Sequence, residues 1–147
     1  MILKKKKVLF LCTGNSARSQ MAEALLRMHG SHHFEIYSAG LEPRGIHPGT
    51  IRVMGELGYD MATHTSKGLD EFLGKHHFNY LITVCDQADE RCPVFPGVGE
   101  RLHWGFEDPA AFAGSEEETL GKFRQVRDQI ETRIIKWMQE SGFQAHD

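Results

Sequence analysis

Apolar and polar residues follow one another along the chain in blocks that predict strands and helices in alternation. Short apolar runs with polar flanks are typical of buried strands, and apolar residues three and four positions apart indicate amphipathic helices. The pattern predicts strands at 7–11, 34–38, 78–84 and 101–104, and helices at 19–28, 48–57, 67–73 and from Ser115 onward. The last helix has the clearest signal, because a capping box at 115–118 precedes an apolar stripe that ends at Trp137.

This alternation predicts an α/β fold of flavodoxin-like type, with a four-stranded parallel sheet and helices on both faces. In that strand order the first and third strands are neighbours, and ligands bind at the carboxyl ends of the strands near this point. The chain contains no internal repeat and no interdomain linker, so we expect residues 1–147 to form a single domain.

The segment between the first strand and the first helix carries the strongest chemical signal. Cys12 and Arg18 are separated by five small or polar residues, Thr13, Gly14, Asn15, Ser16 and Ala17, and Ser19 follows. The backbone N–H groups of such a loop and of the following helix N-terminus bind anions, and Gly14 allows close approach. The guanidinium of Arg18 can hold two oxygens of a tetrahedral oxyanion at once.

The same loop favours nucleophilic chemistry at Cys12. Cysteines at helix N-termini beside cations ionise more readily than free cysteine, whose pKa is about 8.5. We therefore expect Cys12 to be largely thiolate at neutral pH and to attack the anion that the loop binds.

Two further cysteines belong to the same end of the predicted sheet. Cys85 follows the strand at 78–84, and because that strand neighbours the first, Cys85 comes to the same rim as Cys12. The segment from Cys85 to Cys92 would span about 24 Å if extended, whereas a disulfide needs Cα atoms about 4.4–6.8 Å apart. Its composition permits a helical turn or two in one state and a loop in another, which would suit a redox relay. The alternative is a buried strand-end cysteine at 85 and a chance thiol at 92.

Asp108 is a candidate proton donor for a leaving group. Pro109 restricts its backbone to an extended conformation, and the aromatic residues Trp104 and Phe106 could shield its carboxyl and raise its pKa. An ordinary Asp-Pro turn is the alternative, and only the pairing with the Cys12 loop favours the catalytic role.

Composition and charge exclude several classes of protein. A chain of 147 residues with a net charge of −3 suits a globular domain and gives no sign of nucleic-acid binding. The lysines at 4–7 precede an apolar stretch at 8–11 that is too short for a secretory signal or a membrane span. The three cysteines and the histidine pairs at 32–33 and 76–77 lack metal-ligand spacing, so we expect no metal. We expect a monomeric, cytoplasmic protein.

The chain resembles the thioredoxin-coupled arsenate reductases, which share their fold and oxyanion loop with the low-molecular-weight protein tyrosine phosphatases. The resemblance extends over nearly the whole chain and rests on CTGNSARSQMAE from Cys12, YSAG from Tyr37, HTS from His64, VCDQADERCP from Val84 and HWGFEDPA from His103. The first motif fits both families. The cysteine pair and the last motif favour the reductases, because the phosphatases typically carry tyrosines after Asp-Pro, where this chain has Ala110 and Ala111.

The resemblance implies a cascade of three thiols. Cys12 attacks arsenate that is held by the loop amides and Arg18, and Asp108 protonates the departing oxygen. Cys85 then forms a transient Cys12–Cys85 disulfide and arsenite leaves; Cys92 moves the bond to Cys85–Cys92, which thioredoxin reduces. In such proteins Asn15 would shape the loop and Ser19 would bond to the thiolate.

The resemblance implies no tightly bound cofactor, and it raises the question of potassium. Some relatives bind this cation beside the loop through Asn, Glu, Ser and Asp side chains. Asn15, Glu23 and Ser38 match that set, but Lys67 stands at the Asp position, and its ammonium could take the place of the cation. We therefore expect no potassium site.

Two other functions remain open from the sequence. A tyrosine phosphatase-like hydrolase would need Cys12, Arg18 and Asp108 but neither of the other cysteines, and weak phosphatase activity could persist in a true reductase. A phosphocysteine carrier of a sugar-transport relay would also place a cysteine after the first strand. Arg18 and Asp108 would have no clear task in such a carrier.

Overall fold

Four parallel strands form a single sheet in the order β2-β1-β3-β4, which confirms the predicted flavodoxin-like arrangement. A computed structural model describes residues 4–94 and 96–145. Its strands are β1 (Lys6–Cys12), β2 (Phe34–Gly40), β3 (Phe78–Thr83) and β4 (Val98–His103). Val8 of the central strand pairs with Ile36 on one side and Tyr80 on the other, so the carboxyl ends of β1 and β3 lie side by side.

Helices follow the strands in alternation. They are α1 (Arg18–Gly30), α2 (Pro48–Gly55), α3 (Asp86–Arg91) and α4 (Glu116–Glu140), with single 3-10 turns at Leu69–Glu71 and Pro109–Ala111. The predicted capping box of α4 is present, since Ser115 and Glu118 satisfy each other's backbone N–H groups. Within the described residues, no helix is both long and apolar enough to cross a membrane.

The hydrophobic core surrounds β1, which explains why the sequence of this strand is an unbroken apolar run. The side chains of Val8, Leu9, Phe10 and Leu11 are fully buried. The buried apolar residues of α4, from Phe123 to Trp137, pack in the same core as α1 and α2. The buried strand therefore holds its last residue, Cys12, in a fixed position.

Two predicted elements differ from the structure for identifiable reasons. The predicted helix at 67–73 is only the 3-10 turn Leu69–Glu71, because the backbone of Lys67 is engaged elsewhere: its N–H bonds to Asn15 and its carbonyl accepts from Gly40. Strand β4 starts at Val98 rather than 101, and it pairs with β3 alone. Its exposed, polar side chains gave the early part of the strand no apolar signal.

Candidate active site

The loop between β1 and α1 is held in shape by Asn15. Its backbone has a φ of +46°, and it is the one non-glycine residue with positive φ in the part of the chain that the structure describes. The buried side-chain amide donates to Ser19 Oγ at 2.8 Å and to Ser38 Oγ at 3.0 Å. Its carbonyl oxygen accepts from the backbone of Lys67 at 2.9 Å. These bonds offset the cost of the left-handed conformation and fix the loop without a ligand.

The segment at 41–47 pairs with the outer side of the loop. The carbonyl oxygens of Cys12, Thr13, Gly14 and Ser16 accept hydrogen bonds from the backbone N–H groups of residues 41, 42, 44 and 47. The backbone carbonyl groups of the loop are therefore satisfied within the protein. Its backbone N–H groups remain available to bind an anion. Gly40 lies so close that a Cβ there would stand 2.7 Å from the Asn15 nitrogen.

A cavity of about 100 Å³ opens between the loop and three neighbouring segments. Its lining residues are Cys12, Thr13, Gly14, Ser16, Ala17, Arg18, Arg44, Gln87 and Asp108. The structure thus gathers most of the predicted loop residues and Asp108 around one small polar space. Asn15 and Ser19 are buried next to the lining residues and do not face the cavity themselves.

Cys12 lies at the base of the cavity and is 2 % exposed. Its sulfur is 2.8 Å from Ser19 Oγ. Because Ser19 Oγ already accepts from Asn15, its own hydroxyl proton can be donated to the sulfur. Asn15 therefore supports both the shape of the loop and the contact to Cys12.

Arg18 and Asp108 face each other across the cavity. Arg18 Nη2 is 3.6 Å from Asp108 Oδ2, and Arg18 Nη1 donates to the carbonyl of Phe106 at 3.1 Å. The Asp108 side chain also accepts from the Ala110 N–H, which caps the 3-10 turn. The expected aromatic shielding is wrong: the Asp108 side chain is 37 % exposed, and Trp104 is buried against Phe10.

Cys85 is buried beside the loop. Thr13 Oγ1 lies 3.4 Å from Cys85 Sγ and 3.2 Å from Gln87 Oε1, so one threonine links the loop to the start of α3. Cys85 also caps α3, with its sulfur accepting from the Ala88 N–H. The rim position predicted from the strand order is therefore the observed one.

Cys92 ends α3 and is also buried, and its backbone N–H bonds to the Ala88 carbonyl. Burial raises the pKa of its thiol, and the positive charge of Arg101 partly opposes this. With α3 formed, the seven steps from Cys85 to Cys92 advance about 10 Å, whereas a disulfide needs Cα atoms within about 6.8 Å. The three cysteines are free, and the observed α3 corresponds to the helical state of the segment.

A buried carboxylate lies behind the loop, where the potassium ligands of similar proteins would be expected. Glu23 accepts from the Ser38 hydroxyl at 2.6 Å and pairs with Arg27 at 3.0 Å. The ammonium of Lys67 lies 3.9 Å from Glu23 and donates to the Thr65 carbonyl at 2.9 Å. Burial lowers the pKa of Lys67, an effect that the charge of Glu23 opposes.

Sequence reasoning missed Arg44 and Gln87. Arg44 belongs to none of the motifs, and Gln87 lies in VCDQADERCP, where only the cysteines were given a role. Both reach the cavity because segments distant in the sequence fold against the loop. In the described ranges, 4–94 and 96–145, no group of three His, Cys, Asp or Glu side chains is arranged to hold a metal ion.

The fold and the cavity define a parallel α/β protein with a cysteine at the base of an anion-binding loop. A family model for the low molecular weight phosphotyrosine protein phosphatases matches residues 7–145, and the chain belongs to this family. It is 42 % identical over 140 residues to an arsenate reductase of Halalkalibacterium halodurans, a match that covers 95 % of this chain and 99 % of that protein.

Solved structures agree with this assignment. An arsenate reductase in its oxidised state superimposes with a TM-score of 0.77 at 30 % identity, over 92 % of this chain and 98 % of the other. A thioredoxin-dependent arsenate reductase of Corynebacterium glutamicum superimposes with a TM-score of 0.67 at 26 % identity, over 94 % of this chain and 62 % of the other.

Proposed function

We propose that this protein reduces arsenate to arsenite through Cys12, Cys85 and Cys92 and is recycled by thioredoxin. The observation that carries the proposal is the contact of Thr13 with Cys85, which places a second thiol against the wall of the anion cavity. A hydrolase would need no buried thiol there. The relative named arsenate reductase supports arsenate as the substrate. The thioredoxin-dependent neighbour from Corynebacterium glutamicum supports thioredoxin as the reductant.

The first step takes place in the cavity. The loop N–H groups and Arg18 bind the arsenate oxygens, and the Cys12 thiolate attacks arsenic. Asp108 donates a proton to the departing oxygen, which leaves as water.

The second step reduces the arsenic. The Cys85 thiolate attacks the Cys12 sulfur, the sulfur–arsenic bond breaks, and its electron pair stays on arsenic, which leaves as arsenite. Thr13 positions the attacking group, because its Oγ1 lies 3.4 Å from the Cys85 sulfur while its hydroxyl donates to Gln87 Oε1. A Cys12–Cys85 disulfide remains.

The third step moves the disulfide out of the cavity. Cys92 attacks Cys85, which frees Cys12 as a thiolate, and the Cys85–Cys92 disulfide passes to the thioredoxin dithiol. Because α3 separates the two cysteines, the helix must unwind first. Unwinding also removes Cys92 from the buried environment that raises the pKa of its thiol.

The test is arsenate-dependent oxidation of NADPH with thioredoxin and thioredoxin reductase. We expect sustained oxidation by the unmodified chain and loss of it in Cys12→Ser, Cys85→Ser and Cys92→Ser. Full activity of Cys85→Ser would defeat the proposal. Replacing thioredoxin by glutathione in the same assay determines the reductant.

Phosphate ester hydrolysis is the second candidate, and family membership favours it. We propose it only as a weak side activity, because the cavity has room only for a small anion and because Ala110 and Ala111 follow Asp108-Pro109, where the phosphatases typically carry tyrosines. This activity would require Cys12 but neither Cys85 nor Cys92.

We further propose that catalysis needs no potassium. The ammonium of Lys67 stands beside Glu23 and bonds to a backbone carbonyl, so a second cation there would meet a like charge. Arsenate reduction is expected to differ by less than about twofold between sodium and potassium buffers of equal ionic strength. Strong activation by potassium would contradict the role given to Lys67.

A further inference from the structure

We propose that Arg44 is a second anion-binding arginine of the cavity and that its charge makes the site prefer dianions to monoanions of the same shape. Arg44 lies in the segment that follows β2, outside the loop between β1 and α1, and it lines the cavity. The binding preference is independent of the reaction, but its importance for arsenate reduction rests on the proposed function.

The backbone of Arg44 is fixed against the loop. Its N–H donates to the carbonyl of Gly14 at 3.0 Å. The hydroxyl of Ser66 donates to the same carbonyl at 3.3 Å and accepts from the N–H of Gly45 at 3.1 Å. Arg44 is therefore held by hydrogen bonds at its own N–H and at that of the next residue.

The side chain of Arg44 passes over Gly14 and borders the cavity. A Cβ at Gly14 would lie 3.2 Å from Arg44 Cδ and 3.7 Å from Arg44 Nε, so the glycine leaves the room that this side chain occupies. The Arg44 side chain is 62 % exposed, whereas that of Arg18 is 13 % exposed. Arg44 therefore stands at the mouth of the cavity and Arg18 lies inside it.

The charges of the lining leave Arg44 available to an anion. The charged side chains among the lining residues are Arg18, Arg44 and Asp108. Arg18 lies 3.6 Å from Asp108, so the carboxylate offsets its charge, and its Nη1 already donates to the Phe106 carbonyl. Arg44 thus supplies a positive charge that no carboxylate of the lining offsets.

The carboxylate beside Arg44 does not hold it tightly. Glu42 Oε2 is 3.6 Å from Arg44 Nη2, whereas Glu42 Oε1 accepts a hydrogen bond from Arg91 at 3.0 Å. The pKa of Glu42 is lowered mainly by this bond to Arg91, and Arg44 contributes less. Because Glu42 is exposed and its pair with Arg44 is loose, an anion in the cavity can compete for the guanidinium.

A positive charge at the mouth distinguishes anions by their charge rather than by their shape. The N–H groups of the loop recognise the tetrahedral arrangement of oxygens, which dianions and monoanions share. The Coulomb energy between Arg44 and the anion is proportional to the charge of the anion, so it is larger for a dianion. Arsenate near neutral pH carries this second negative charge.

The experiment measures dissociation constants for sulfate, a tetrahedral dianion, and perchlorate, a tetrahedral monoanion. Each constant is obtained from the protection that the anion gives to Cys12 against alkylation by iodoacetamide, in the reduced full chain at constant ionic strength. Mass spectrometry of the Cys12 peptide separates this reaction from that of the other cysteines. Because protection compares rates with and without the anion, a change in the reactivity of the thiol itself cancels.

We expect Arg44→Gln to raise the sulfate dissociation constant about tenfold, the effect of one charge-assisted hydrogen bond. The perchlorate constant should rise about threefold, because half the interaction energy gives the square root of the fold-change. Arg44→Lys keeps the charge and should retain most of the preference for sulfate. Arg52→Gln is the matched control, an exposed arginine of α2 that does not line the cavity, and should change both constants less than about twofold.

Equal changes of the two constants in Arg44→Gln would show that the residue acts on the shape of the loop, and they would overturn the inference. No change, or the same change in Arg52→Gln, would also overturn it. In the arsenate assay, Arg44→Gln is expected to raise KM about tenfold and to leave kcat within about twofold. Failure of the unmodified chain to reduce arsenate would refute the proposed function, while the sulfate and perchlorate constants would still decide the role of Arg44.

Discussion

Cys92→Ser protein is expected to release about one arsenite per molecule and then stop. The anion cavity, Cys12 and Cys85 remain intact in this variant, because Cys92 lies outside the cavity, at the far end of α3. The first two transfers can therefore proceed. Without the third thiol, Cys12 stays trapped in the Cys12–Cys85 disulfide, which is buried where a reductant protein cannot reach it.

The measurement is a single-turnover assay with limiting protein and excess arsenate. Mass spectrometry of the product should show loss of two hydrogens and a peptide that links Cys12 to Cys85. Hydrolysis of a phosphate ester by the reduced variant serves as the control and should equal that of the unmodified chain. Continued turnover of Cys92→Ser with thioredoxin would show that the relay does not need a third thiol.

Gly40→Ala is expected to lower kcat/KM at least about 100-fold, because small displacements of reacting groups have effects of this size. A Cβ at Gly40 would lie 2.7 Å from the Asn15 nitrogen and 2.8 Å from the Thr13 oxygen. Both are backbone atoms of the anion-binding loop and cannot swing aside as the end of a side chain could. The loop must shift, and the hydrogen bonds that hold Asn15 shift with it.

Gly121→Ala is the matched control for this substitution. Gly121 lies in α4 with open space around it, and alanine there should stabilise the protein by about 0.5–1 kcal/mol without a change in activity. Thermal unfolding and the arsenate assay are measured on both variants. Near-normal kcat/KM in Gly40→Ala would show that the loop tolerates displacement.

The sheet and the anion-binding loop could be predicted because their signals are local. The fully buried residues of β1 form an unbroken apolar run, and Cys12 and Arg18 follow within a few positions. Predicting the position of Cys85 required the strand order as well, because that order brings the end of β3 next to the end of β1. That step depended only on a general rule of parallel sheets.

The residues that sequence reasoning missed depend on contacts between distant segments. Arg44 lines the cavity because its segment bonds to the loop carbonyls, and no spacing rule relates it to Cys12. The helix expected at 67–73 failed for the same reason: Lys67 satisfies its backbone through Asn15 and Gly40 instead.

The rigid loop has a consequence for selectivity. A cavity held in shape by Asn15 and by paired carbonyls recognises tetrahedral geometry and negative charge, which phosphate and arsenate share. Occupancy alone would therefore not distinguish them, and phosphate would act as a competitor in proportion to its abundance. Under the proposed reaction, the choice is made after binding: arsenic accepts an electron pair when Cys85 attacks, whereas phosphorus does not. Discrimination would then reside in the redox chemistry of the captured atom, and the loop would need only to capture it.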